Sequence, residues 1–111
     1  MSLVSTEWLE KNLSNVRIID ASWHMPNSRR DAYNEYLKTH IENTVFFDLD
    51  KSSDEKSPLP HMLPNEEKWG KIVSDLGIKN SDHLIIYDSS DTISSCRCWY
   101  SFIYFGHKPE L

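Results

Sequence analysis

Apolar residues fall along the chain in short blocks whose spacing switches between helical and extended. Trp8, Leu9 and Leu13 recur at helical intervals behind Ser5, a good N-cap, and predict a short helix over residues 6–13. Val16-Arg17-Ile18-Ile19-Asp20 then forms a β-branched run, which predicts a buried strand ending in an acid. Residues 23–30, with Pro26 and Asn27, read as a loop. Asp31 can cap a helix running through His40, with Tyr33, Tyr36 and Leu37 on one face. Val45-Phe46-Phe47-Asp48-Leu49 predicts a second strand.

Residues 50–64 make a long loop holding Pro58, Pro60 and Pro64, and a loop of that length in a small domain is often functional. Asn65, Glu66 and Glu67 open the next helix with an acidic turn, favourable against the positive end of the helix dipole. Trp69, Ile72, Val73 and Leu76 form its apolar stripe, and Gly77 is its stop. His83-Leu84-Ile85-Ile86-Tyr87-Asp88 predicts a third strand. Residues 94–105 predict a last helix, apolar nearly all round, ended by Gly106 with Pro109 beyond. The order α-β-α-β-α-β-α implies an α/β fold, a parallel sheet with helices on both faces.

Composition narrows the function. Lys and Arg total 12 against 17 Asp and Glu, a formal net charge of −5, which argues against a nucleic-acid partner held through its phosphates. The apolar fraction of 39% is too high for a disordered chain. Glu7, Glu10 and Lys11 follow Met1-Ser2-Leu3-Val4 at once, so no leader is expected there. The longest apolar stretch, residues 99–105, is far short of the roughly 20 needed for a membrane span. No membrane partner is expected, and the default compartment is cytoplasmic.

In open α/β sheets, ligands sit outside the carboxyl ends of the strands. That edge should carry Asp20, Asp48, Asp50 and Asp88-Ser89-Ser90-Asp91. A nucleophile would be expected just after the third strand, where a helix N-terminus can activate a thiol. Asp88 stands there instead, and with Asp91 it would repel an anion. Cys96 and Cys98 could suggest a metal or redox pair. Residues two apart on a helix point about 200° apart, however, so they cannot share one tetrahedral ion. Both are expected to pack as small hydrophobes in a buried helix, and no cofactor or metal is expected.

A longer series of motifs carries more information. Leu3-Val4-Ser5-Thr6-Glu7-Trp8-Leu9, Ile19-Asp20-Ala21-Ser22-Trp23-His24-Met25-Pro26 and Phe46-Phe47-Asp48-Leu49-Asp50 are followed by Ser57-Pro58-Leu59-Pro60-His61-Met62-Leu63-Pro64 and Ile86-Tyr87-Asp88. Arg97-Cys98-Trp99-Tyr100 and Phe105-Gly106-His107 complete it. In order and spacing the chain resembles the N-terminal domain of tandem-rhodanese sulfurtransferases, the thiosulfate and 3-mercaptopyruvate sulfurtransferases. The resemblance implies a rhodanese-like fold and a catalytically silent domain. It would pack against a second domain whose Cys carries sulfur as a persulfide, passed on to a thiol or cyanide.

The same resemblance implies supporting catalytic roles for His61 and for Asp50, eleven residues before it. Asp50 would orient the imidazole, and His61 would take or return a proton for a bound 2-oxo thiol. His61 tilts the expected substrate toward 3-mercaptopyruvate. A silent rhodanese-like module that binds a protein partner is the alternative. Arg97 is read as an internal ion-pair residue, Arg29 and Arg30 as a solvated helix start. His24, His40, His83 and His107 are read as structural or exposed, and Trp8, Trp23, Trp69 and Trp99 as core or interface.

The resemblance further implies that such a domain continues past Phe105-Gly106-His107 into another strand and a closing helix. Residues 1–111 are thus expected to be an incomplete N-terminal domain lacking its last strand and helix, with the catalytic domain as its missing partner. The side of the third strand that the absent strand would cover is expected to be bare. Such a chain would be marginal or fill the gap as a homodimer or by strand exchange.

Overall fold

In the computed structural model, which describes residues 3–111, the three strands form one parallel sheet in the order β2-β1-β3. The strands are β1 (Arg17–Asp20), β2 (Thr44–Phe46) and β3 (Leu84–Tyr87). The helices are α1 (Thr6–Asn12), α2 (Ala32–Lys38), α3 (Glu66–Asp75) and α4 (Ser94–Tyr104). Met1 and Ser2, the first residues of the stretch read as lacking a leader, lie outside the described residues. No helix among the described residues is long and apolar enough to cross a membrane.

The caps expected from the sequence form. Ser5 Oγ accepts from the Trp8 N–H at 3.0 Å, Asp31 from Asn34 at 3.1 Å and Asn65 from Lys68 at 2.8 Å. Gly77 takes φ +74° after α3, a left-handed stop that an L side chain would strain. The Arg17 guanidinium donates to the Leu76 carbonyl at 3.0 Å, tying β1 to that helix end.

Register sorts the strand residues onto two faces. Ile19 pairs with Val45 and Ile86, while Asp20 pairs with Phe46 and Tyr87. The first face, with Ile19, Leu84 and Ile86, joins Trp69 of α3 and Cys98 and Phe102 of α4 in the main core. The Trp69 and Phe102 rings meet edge-on with centroids 4.8 Å apart. The opposite face receives α2: the Tyr36 hydroxyl donates to the Thr44 carbonyl at 2.7 Å, and Tyr33 and Tyr36 both lie against Phe46.

Several expectations need correction. The second helix stops at Lys38 rather than His40, because Thr39 is extended, with φ −150°. Tyr33 and Leu37 remain more than half exposed at 52% and 55%, since so short a helix covers the sheet mainly through Tyr36. β2 ends at Phe46, where the Asp48 carboxylate accepts from Lys51 N–H and turns the chain. Cys96 is exposed and only Cys98 is buried, so α4 is two-sided rather than apolar all round.

The outer side of β3 is not bare. Glu110 forms a parallel bridge to Ile85, accepting from Ile86 N–H at 2.8 Å and donating to Leu84 carbonyl at 2.9 Å. Val4 N–H in turn reaches the Leu111 carbonyl at 2.8 Å. Lys108-Pro109-Glu110 has none of the β-branched character that marks a strand, which is why the sequence did not reveal it.

His107 follows the Gly106 stop and packs edge-on against Phe102, with neither ring nitrogen finding a hydrogen-bond partner among the described residues. Burial holds its imidazole pKa below the ordinary value of 6.5. The unfolded chain therefore binds this proton more readily than the folded one. Stability should fall as pH drops through the ordinary imidazole range, and this loss should level off below the folded value. Urea unfolding of wild type and His107→Leu between pH 7.5 and about pH 5 is expected to show a steeper acid loss in wild type.

Candidate functional site

The carboxyl ends of the three strands lie level, because β1 pairs both neighbours through Asp20. Three segments rise from that edge and converge. After β1, the buried Asp20 carboxylate accepts from Ser22 N–H, and Ser22 Oγ accepts from Ser89 N–H at 2.8 Å. Thr92 donates its hydroxyl to the Trp23 carbonyl at 2.8 Å, so the Trp23 backbone is tied to the segment before α4. After β2, the turn at Asp48 lifts Asp50 to the rim, where its side chain is 68% exposed.

The third segment is the proline-containing loop. Ser52 and Ser53 are buried at its base, and the Ser53 hydroxyl donates to the Leu49 carbonyl at 2.7 Å. Asp54 N–H donates to the Met62 carbonyl at 2.7 Å and closes the loop stem. His61 sits on that stem at φ +55°, a left-handed conformation unusual for a residue with a side chain. Its carbonyl accepts from Arg97 Nη1 on α4.

These constraints bring Asp50 and His61 together at the rim. His61 Nε2 lies 2.7 Å from Asp50 Oδ1, with the imidazole side chain 25% exposed. The pair lines an open cleft of about 380 Å³ together with Ser53, Asp54, Pro58 and Leu59. Trp23 completes the cluster. Its Nε1–H lies 3.2 Å from each Asp50 oxygen, and its ring stands at 90° to the imidazole with centroids 4.8 Å apart. The sequence placed Trp23 in the core or an interface. Only its place in the Asp20-Ala21-Ser22-Trp23 motif could have suggested otherwise.

Asp88 follows β3 where a nucleophile was sought, and its carboxylate is used internally. Oδ1 accepts from Ser90 N–H at 3.1 Å and Oδ2 from Ser95 N–H at 2.7 Å. The amides that could have cradled an anion at the start of α4 are thereby occupied by the chain's own acid. Ile93 precedes the helix at φ +53°, an outlier for a β-branched residue. Cys98 offers no thiolate either, because complete burial drives its pKa well above the ordinary thiol range.

The cations also differ from expectation. Among the described residues Arg97 forms no ion pair: it donates to Ser101 Oγ at 3.2 Å and to the His61 carbonyl, and burial lowers its pKa. Arg30 is not merely solvated, since it grips Glu35 through two hydrogen bonds of 2.7 and 3.1 Å. That contact raises the Arg30 pKa and lowers that of Glu35. Arg29 stands at φ +61° after a short 3-10 turn, Pro26–Ser28. His24 lies buried beside Glu35 at 3.5 Å, His40 against the Tyr36 carbonyl and His83 against Glu110. Among the described residues, no group of three or more His, Cys, Asp or Glu is placed to hold a metal ion.

A parallel α/β domain with an acid–imidazole pair at its carboxyl edge and an acid in place of a nucleophile defines the class. The Rhodanese-like domain family matches residues 5–110, and the chain belongs to that family. It is 45% identical over 108 residues to thiosulfate/3-mercaptopyruvate sulfurtransferase 1, mitochondrial, of Arabidopsis thaliana, covering 96% of this chain and 28% of the plant protein. It is 40% identical to the 3-mercaptopyruvate sulfurtransferase of Mus musculus, with 96% of this chain and 38% of the mouse protein covered. Among solved structures, SseA of Escherichia coli, described as a 3-mercaptopyruvate sulfotransferase with the rhodanese fold, superposes with a TM-score of 0.92 at 37% identity. That match covers 99% of this chain and 44% of SseA. The chain therefore spans less than half the length of each of these relatives.

Replacing Asp88 tests its internal role. Asp88→Ala should destabilise the domain by about 1–3 kcal/mol by leaving the Ser90 and Ser95 amides without their acceptor. Asp88→Asn, retaining one acceptor oxygen, should cost less; denaturant titration of the three proteins measures both.

Proposed function

We propose that this chain serves as the supporting, non-catalytic domain of a sulfurtransferase. That enzyme would move sulfane sulfur from 3-mercaptopyruvate or thiosulfate to a thiol or cyanide. The sulfur would be carried on a Cys of a second rhodanese-like domain, the partner this reading requires. The 2.7 Å Asp50–His61 pair, at an edge without a nucleophile of its own, carries the reading. Asp50 orients the imidazole, and His61 takes or returns a proton as a bound 2-oxo thiol gives up its sulfur. A proton-transfer group matters most for a donor whose leaving carbon must be protonated, which favours 3-mercaptopyruvate over thiosulfate. By itself the chain is expected to be inactive.

A second reading is a silent module that binds another protein. It draws on Asp88, whose carboxylate fills the loop where an anionic substrate would otherwise sit. The cytoplasm is the compartment proposed, on the two unbridged cysteines; the Arabidopsis relative is named as mitochondrial.

Sulfur transfer from 3-mercaptopyruvate to cyanide, measured for a separately produced catalytic domain with and without this chain, separates the two readings. Wild type is expected to raise the rate, and His61→Ala should forfeit about 100-fold of kcat, with Asp50→Asn losing less. No gain from the wild-type chain would overturn the supporting role. Stoichiometric capture of one partner unrelated to sulfurtransferases would then favour the module.

A further inference from the structure

A hydrogen-bonded Asp–His pair at an exposed rim has little intrinsic reason to keep one geometry, since surface ion pairs are worth about 0–1 kcal/mol. Asp50, at 68% exposed, could turn its carboxylate toward water, and an imidazole can flip its ring and exchange which nitrogen it offers. Trp23 opposes both motions. Its indole N–H is a donor only, placed equally at 3.2 Å from Oδ1 and Oδ2, so it fixes the carboxylate plane. Its ring stands perpendicular to the imidazole at 4.8 Å, an edge-to-face contact that a ring flip would disturb. The Trp23 backbone is tied separately through Thr92, and His61 separately through Arg97, so the indole is mounted on a frame independent of the pair.

We propose that Trp23 is a positioning residue that locks the Asp50–His61 pair with the proton on His61 Nε2, leaving Nδ1 as the nitrogen offered to a reactant. The reasoning is one of donors and acceptors. The indole can only donate, so both Asp50 oxygens face it as acceptors. Such a carboxylate can accept from Nε2 only if that nitrogen carries the hydrogen. A neutral imidazole has one N–H, so Nδ1 holds the lone pair that can take a proton. The catalytic meaning of this assignment rests on the acid–base role proposed above; the tautomer itself does not.

Long-range 1H–15N NMR of the 15N-labelled full chain, at a pH where the ring is neutral, reads the tautomer directly. Wild-type His61 should give two widely separated ring nitrogens with Nε2 protonated. Trp23→Phe keeps an aromatic ring but removes the N–H, and should pull the two signals toward each other as the tautomers mix. Asp50→Ala serves as the internal control and should shift them further. A wild-type pattern in Trp23→Phe overturns the role of Trp23 while leaving the pair intact. A wild-type pattern in Asp50→Ala, which keeps no acceptor, overturns the pair itself and with it the proposed acid–base role. In the unsubstituted chain, a nuclear Overhauser contact between the Trp23 indole proton and the His61 ring is expected. Its absence would overturn the arrangement even if the variants failed to fold.

Discussion

Parallel pairing of β1 with both neighbours in matched register is the constraint on which the other features rest. Asp20 sits opposite Phe46 on one side and Tyr87 on the other, so all three strands end on one line. The pairing continues slightly beyond the strands, with Ala21 N–H on the Tyr87 carbonyl and Phe47 N–H on the Asp20 carbonyl at 2.9 Å each. Every loop that builds the site leaves from that line. A slip of one residue would send Ile18 and Ile19 each to the other face and take Ile19 out of the cluster with Trp69 and Phe102. Burial of Ile19, Ile86, Trp69 and Phe102 therefore fixes the register, and the register sets where Trp23, Asp50 and Asp88 begin their loops.

What was legible in the sequence follows from this division of labour. Strands and helices are written in local periodicity and capping residues: Ser5, Asp31, Asn65 and Gly77 perform the tasks their chemistry suggests. The Asp50–His61 pair could be named because it lies in specific motifs, but its geometry could not. His61 and Ile93 adopt positive φ values that no local preference favours; Arg97 holds the His61 carbonyl, and the neighbours of Ile93, Thr92 and Ser94, are bonded to the segment after β1. Trp23 escaped because an indole reads as bulk until its N–H finds an acceptor. Cys96 was misplaced because a helix that looks apolar all round still has a solvent side once it is laid on a sheet. Glu110 was missed because a single ladder position leaves no periodic trace.

The electrostatics of the edge divide it into two regions. Near the start of α4, Asp88 consumes the local backbone donors, so that region is satisfied and inert. Near the proline loop, the acid is Asp50, partnered by groups that donate toward it and still open to solvent. One fold thus carries a carboxylate spent on structure and another left exposed at the rim. Arg97 on α4 joins the regions mechanically, through the His61 carbonyl rather than through a charge pair.

The stem closed by Asp54 and Met62 has a bearing on how such proteins diverge. Inside it, Glu55, Lys56, Leu59 and Pro60 are exposed, while the residues that anchor it lie outside the apex. Lengthening a tethered apex costs only a slowly growing closure entropy, about 0.6 kcal/mol for each doubling. The loop tip can therefore gain or lose residues while the His61 carbonyl stays tied to Arg97, and since Pro58 and Leu59 line the cleft, such changes alter what the cleft meets. Length at the tip thus bears on what can enter the cleft rather than on the Asp50–His61 contact itself.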